Sequence, residues 1–430
     1  YAAYAAQGRI WCSLDGSVAA DRVIYMLVPS LNASDTPDNW YAGLAVLQLG
    51  TGVTVGAASP RGLRFRNCAG VLIDGLEIGG SDAAVKIDSN TTKATSNFTI
   101  QNCSLTYWWS RGVQVYGSGS FGNSNIVIQD NVLDANPTAD EQEPLTGSGW
   151  FHSAESIECL SSDDLAPLSG LRILRNILSG LQHNALNVAT RSDTGGGAAG
   201  SITDLQIKFN TIFAEDYETD VRGMAIQGIS GSRLINLVIG NVIKNCCTTT
   251  EFSGQLTVEG NWWLGHRQSV SQPTIVNAVQ LGPNGARNTP TTDLWFAYNQ
   301  ILGCQMTPVR IVSGQEYLPA GAITATRNII QMIGTLTDIC WNVRNTIPAS
   351  GDFSVDAARI LYNHVERDTE PNVYWRTTGT GAQTAQTVTA GPSGGTRPDA
   401  ITYIGNTYGT RLTPIPSSVY PPPAAVPMFG

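Results

Sequence analysis

The chain has 430 residues, a formal net charge of −9 and only 14% charged residues, against about a quarter in an ordinary soluble domain. With 42% hydrophobic residues it can fill a large core, and its low charge excludes a disordered chain. No long apolar run suggests a membrane-spanning helix, and an acidic balance with 4 Lys beside 21 Arg and no basic run speaks against nucleic acid. The 45 Gly, 21 Pro and 28 Asn point to short strands and frequent turns.

In chain order, the sequence opens on Tyr1 rather than Met, so a preceding segment is expected. Residues 1–60 contain two apolar runs, Asp21-Arg-Val-Ile-Tyr-Met-Leu-Val28 and Leu44-Ala-Val-Leu-Gln-Leu49. They read as an N-terminal cap and a first irregular coil. From residue 71 one pattern recurs: apolar, any, apolar, any, any, Asn, any, apolar. It appears at Ile126-Val-Ile-Gln-Asp-Asn131-Val-Leu133, Leu171-Arg-Ile-Leu-Arg-Asn176-Ile-Leu178, Leu205-Gln-Ile-Lys-Phe-Asn210-Thr-Ile212 and Leu256-Thr-Val-Glu-Gly-Asn261-Trp-Trp263. Further copies carry Asn299, Asn328, Asn363 and Asn406, and shortened ones carry Asn102 and Asn241. Gly75 takes the Asn place in the first copy, giving about eleven copies over residues 71–408.

Alternation of period two on both sides of the Asn predicts two short strands, with the Asn at a bend where it accepts left-handed backbone. A third strand follows, as in Val85-Lys-Ile87, Val113-Gln-Val115, Leu186-Asn-Val188, Val309-Arg-Ile311, Ile339-Cys-Trp341 and Val373-Tyr-Trp375. One such unit cannot bury its apolar face, whereas stacked units can. Trp262-Trp263 follows a bend and reads as core. Residues 61–410 therefore form the repeat domain, in which the Thr/Gly/Ala/Gln-rich stretch 377–398 is expected to be a mobile loop. The tail 411–430 holds six prolines and cannot pair as a central strand. It is expected to run along a surface or a neighbouring subunit. The eight Cys show no C-x-x-C or C-x-x-H spacing, so neither zinc nor another metal or cofactor is expected. They read as buried thiols, Cys159 and Cys340 on inward positions, with a disulfide through Cys246 or Cys247 as the alternative.

In this repeat the chain resembles the right-handed parallel β-helix superfamily, the pectin-lyase-like architecture, over about 340 residues. The resemblance implies an all-β, right-handed parallel β-helix solenoid of about eleven coils with an N-terminal cap. The architecture serves polysaccharide lyases, glycoside hydrolases, phage tailspikes and structural stalks alike. It implies a place outside the cell or on a virion surface, and for a tailspike a homotrimer. The Asn-Thr-Asp, Asp-Asp, Gly-His, Arg-x-Lys series of polygalacturonases is absent in order: Asp163-Asp164 and Gly265-His266 stand without their partners. The Trp-Ile-Asp-His-type motif of pectate lyases is absent too, so neither family lends a catalytic residue.

The site reading comes from loop length. From the Asn bend to the next strand the gap is usually 10–11 residues, but it is 26 from Asn131 to Ile157 and 14 from Asn210 to Met224. The coil between, with Gln182-His183-Asn184, keeps a gap of 10. Two walls are expected beside one low coil, and insertions on one face commonly mark a binding face. The first wall carries Asp140-Glu-Gln-Glu143, Trp150-Phe-His152, Glu155 and Glu158, and the second carries Glu215-Asp216-Tyr-Glu-Thr-Asp220 and Arg222. The coil below adds Tyr107-Trp108-Trp109 and Arg111.

If Val85, Val113, Ile157, Leu186, Met224 and Val309 point inward, the outward file is Lys86, Gln114, Glu158, Asn187, Ala225 and Arg310, with Gln280 between the last two. A second file, Arg111, Glu155, Asn184 and Arg222, lies just before each strand. Carboxylates, an imidazole, arginines and aromatics in one groove suit a sugar polymer. Glu155, Glu158, His183 and Arg222 are the expected catalytic residues. Trp108, Trp109, Arg111, Gln114, Trp150, His152, Asn184, Asn187, Asp216 and Asp220 are the expected substrate contacts. Two carboxylates would give hydrolysis, and a His or Arg base would give β-elimination from a uronate. The competing reading is a non-catalytic virion or cell-surface β-helix that binds a glycan receptor or builds a stalk.

Overall fold

A computed structural model describes residues 45–48, 63–66, 69–89, 94–117, 122–135, 155–161, 167–180, 184–190, 200–213, 222–244, 246, 249–266, 277–282, 292–304, 307–312, 321–332, 339–345, 358–367, 372–377, 385–389 and 401–410. Among them every regular element is a strand. No helix there is long and apolar enough to cross a membrane. The described strands line up in three parallel sheets, so the chain is an all-β parallel β-helix. Sheet A runs from 71–74 through 126–129, 172–174, 206–208 and 237–239 to 401–404. Sheet B runs from Ala45–Gln48 through 76–79, 132–134, 177–179 and 242–244 to Thr407–Tyr408. Sheet C runs from Leu63–Arg66 through 113–116, 157–160, 186–189, 250–252 and 309–312 to 373–376. Ala45–Gln48, at the end of the stretch read as a cap, is thus already a strand of sheet B. One pairing departs from the pattern: Ala385–Thr389, read from its composition as loop, folds antiparallel onto Asn372–Thr377.

Apolar residues from all three sheets point inward and form one continuous core, including Trp263, Phe252 and Phe296. Trp263 is core as expected, packing edge-on against Phe252 with ring centroids 6.1 Å apart. Cys103, Cys159 and Cys340 are free and buried, and Cys246 and Cys304 are buried. Cys12, Cys68 and Cys247 lie outside the described residues.

The repeated asparagine does something other than expected. Its backbone is not left-handed; the residue just before it is. Asp130, Arg175, Phe209, Tyr298, Arg327 and Tyr362 have φ of +54° to +58°, and Gly240, Gly260 and Gly405 take the same place in other coils. The Asn side chain instead turns into the core. Asn131, Asn176, Asn210, Asn241, Asn261, Asn299, Asn328, Asn363 and Asn406 form one chain in which each Nδ2 donates to the next Oδ1 at 2.8–3.1 Å. Each amide also donates to a carbonyl one coil back, as Asn210 does to Ile173 O at 2.9 Å. Its Oδ1 accepts in addition the backbone N–H of the preceding Asn, as Asn210 Oδ1 does from Asn176 N at 2.9 Å. Within the ladder, from Asn176 to Asn363, every side-chain amide donor and acceptor is used, which is the condition for burying an amide stack.

Two residues named as Asn-place copies are therefore one position off. Asn102 has φ +53° and Gly75 has φ +69°. The ladder places next to them belong to Cys103, whose N–H donates to Asn131 Oδ1 at 2.9 Å, and to Leu76, which needs no partner. Gly240 has a second role. A Cβ there would lie 2.7 Å from Phe209 Cδ1 and Cε1, so the ring of one coil rests on the glycine of the next.

Candidate functional site

The site reading concerns the outer face of sheet C. In an ordinary strand, residues three apart point to opposite faces. Here both members of the pairs Arg111/Gln114, Glu155/Glu158 and Asn184/Asn187 face outward, because two residues in succession point inward between them. Ser156 and Ala185 are fully buried. A Cβ on Gly112 would meet Leu133 Cδ2 at 3.0 Å and Trp108 Cζ2 at 3.3 Å, and one on Gly223 would meet Ile243 Cγ2 at 2.6 Å. In these four strands the corner holds Gly112, Ser156, Ala185 and Gly223, all small, and it sets two polar files side by side.

The files stack in the expected register. Arg111 pairs with Glu155, Glu155 with Asn184, and Asn184 with Arg222. Lys86, Gln114, Glu158, Asn187 and Ala225 follow one another likewise. The next member is Glu251, then Gln280, Arg310 and Asn342. Glu251 is missing from the sequence reading because its strand carries Thr250 where an apolar residue should point inward. Thr250 is nevertheless fully buried, and its Oγ1 accepts a 3.3 Å hydrogen bond from the Trp263 indole.

The two carboxylates of Glu155–Ser161 turn in opposite directions along the solenoid. Glu158, only 2% exposed, faces the preceding coil. Arg111 Nε donates to its Oε2 at 2.9 Å and Nη2 to its Oε1 at 3.1 Å, while Gln114 Nε2 donates to Oε2 at 2.6 Å. Glu155, equally buried, faces the following coil and accepts from Asn184 Nδ2 at 2.8 Å and Asn187 Nδ2 at 2.9 Å, both on Oε1. Burial first, then the charge of Glu155, raises the Glu158 carboxyl above the ordinary range, with Arg111 pulling the other way. Arg222 does not join this pair. Its Nη1 lies 3.4 Å from Glu251 Oε1, and Gln227 Nε2 donates to the other Glu251 oxygen.

Trp108 corrects the sequence reading. It is 3% exposed and belongs to the core, where its ring floors the small-residue corner at Gly112. A bulky indole beside a glycine fills the room that the missing side chain leaves. His183, Trp150, His152, Asp216 and Asp220 lie outside the described residues, as do the side chain of Trp109 and both acidic clusters, 140–143 and 215–220.

Comparison of the chain with protein-family models, with curated proteins and with solved structures finds no match.

Proposed function

We propose that the protein binds a polysaccharide along the outer face of sheet C and cleaves it there as a glycoside hydrolase. One observation carries the reading. Two buried carboxylates stand three residues apart on one strand, both directed outward, and burial, then the charge of Glu155, raises the Glu158 carboxyl. A carboxyl raised in this way beside a second carboxylate suits acid-assisted cleavage of a glycosidic bond. Arg111 and Gln114 hold Glu158, and Asn184 and Asn187 hold Glu155. The reading places the protein outside a cell or on a virion. Its likeness to the pectin-lyase-like superfamily is part of the same proposal.

The test is reducing-end release from a panel of polysaccharides. Glu155→Gln and Glu158→Gln should each lower it at least 100-fold while the far-ultraviolet spectrum stays unchanged. Loss in His183→Ala with activity kept in Glu158→Gln, together with an unsaturated product, would transfer the reading to β-elimination. Activity kept in all three variants removes the site.

A non-catalytic structural reading rests on a different face. Phe209, Tyr298 and Tyr362 are 48–57% exposed, all at the left-handed corner between sheets A and B. Leu234 and Ile235 are exposed just ahead of the sheet A strand that starts at Leu237. An apolar strip away from the polar face suits association with copies of the chain, a homotrimer included. Sedimentation should then show a trimer that Tyr298→Ser with Tyr362→Ser dissociates.

A further inference from the structure

The constellation around Glu158 occurs twice. In the first copy an arginine (Arg111) reaches the carboxylate of the next coil (Glu158), and a glutamine amide (Gln114) takes one of its oxygens. In the second copy Arg222 reaches Glu251 one coil on, and Gln227 takes an oxygen of Glu251. Glu251 is 4% exposed, much like Glu158. Glu158, Asn187, Ala225 and Glu251 are successive members of one file, so the two lie about 14 Å apart along the solenoid.

The copies differ in two respects that decide their use. The first clamp is closed: Arg111 spends Nε and Nη2 on Glu158. The second is open: Arg222 touches Glu251 only through Nη1 at 3.4 Å, and its buried Nε has no hydrogen-bond partner among the described residues. In the next coil Gln280, 1% exposed, pairs in register with Glu251, and its Nε2 has no partner either. Nor has Asn277 Oδ1, three residues before Gln280 on the same strand. Buried polar groups left unsatisfied lower stability, and a ligand that supplies the missing partners recovers the loss. The second difference is the lack of a partner carboxylate: Ala225, the file member before Glu251, leaves a low floor instead. One clamped carboxylate with idle donors and an idle acceptor binds hydroxyls and does not perform acid-base chemistry on them.

We propose that Arg222, Glu251, Gln280 and Asn277 form a second, non-catalytic subsite for a hydroxyl-rich sugar ring, three coils from Glu158. It rests on the reading of sheet C as a polysaccharide-binding face. Arg222 Nε and Gln280 Nε2 donate to ring hydroxyls, and Asn277 Oδ1 accepts from one. Extended pyranose chains repeat at nearly the ~4.8 Å spacing of the coils, so the subsite is reached only by chains about three rings longer than the catalytic pair alone requires.

The experiment uses affinity electrophoresis of the full chain through gels holding polygalacturonate, alginate, xylan or a bacterial O-polysaccharide. Calorimetry then follows with oligosaccharides of two to eight residues cut from whichever polymer retards wild type. Gln280→Leu, and separately Arg222→Gln as a variant with another route to misfolding, should weaken binding of the longer oligosaccharides about 10-fold. Both should leave di- and trisaccharide affinity unchanged. Equal loss at all lengths, or no loss at any length with folding intact, overturns the subsite while leaving the polysaccharide reading standing. Wild type that none of the four gels retards overturns both.

Discussion

Replacing Asn210 by Ala tests the asparagine ladder at its middle. The substitution leaves Asn176 N and one hydrogen of Asn176 Nδ2 without the acceptor they share, and leaves Ile173 O without its side-chain donor. Asn241 Oδ1 keeps a partner, since Asn210 N still donates to it. Two stranded buried donors at about 1–3 kcal/mol each give about 2–6 kcal/mol. Urea unfolding followed by tryptophan fluorescence reads the total. Hydrogen exchange over 171–178 reads where it falls, and the Asn176 amide should lose protection first. Asn210→Asp refines the argument. It keeps an acceptor for Asn176 but sets a second oxygen against Ile173 O and Asn241 Oδ1, so the folded chain holds that carboxyl protonated above its unfolded value. The folded state then binds more protons, and stability falls by up to about 1.4 kcal/mol per pH unit as pH rises from about 4. An Asn210→Ala protein within about 0.5 kcal/mol of wild type, the range of a neutral surface change, with Asn176 still protected, would refute the view that the ladder holds the coils.

Two further outcomes are expected. Gly240→Ala and Gly260→Ala both force a side chain onto left-handed backbone, at φ +66° and +64°, at about 1 kcal/mol each. Only Gly240 also meets the Phe209 ring, while Gly260 has nothing within 4 Å. Urea midpoints should therefore show the larger loss at Gly240, and equal losses would mean that the ring does not rest on that glycine. His266 is buried, neither ring nitrogen has a partner among the described residues, and burial pushes its imidazole down to about 4. The unfolded chain takes up that proton near pH 6.5 and the folded chain does not. Stability should drop by about 3 kcal/mol as pH falls from 6.5 to 4, and His266→Leu should remove that slope in a pH series of urea unfolding curves.

The repeat, the inward positions of sheet C and most of the polar file that begins at Lys86 are legible in the sequence, because a period of two fixes facing once one strand is placed; the second file, three residues earlier, breaks that period at Ser156 and Ala185. The position of the bend is not legible, because its left-handed residues include Arg175, Phe209 and Tyr298, which carry no turn chemistry, whereas the adjacent asparagine does. What recurs in the sequence was the buried amide, not the kink. Glu251 was hidden by Thr250, a polar residue that is buried only because the Trp263 indole donates to it. Trp108 looked like a sugar platform because the small residue that makes room for it, Gly112, lies four positions away and is uninformative by itself.

The ladder has a direction as well as a register. In every link the amide hydrogen points toward the C-terminal coil and the amide oxygen toward the N-terminal one, from Asn131 to Asn406. Nine side-chain dipoles therefore add head to tail along the interior, as peptide dipoles of about 3.5 D do along a helix. A protein without a helix among its described residues carries a macrodipole of its own. Its negative end meets the Cys103 amide, and its positive end emerges at Asn406, where the last described coil would favour a negative charge.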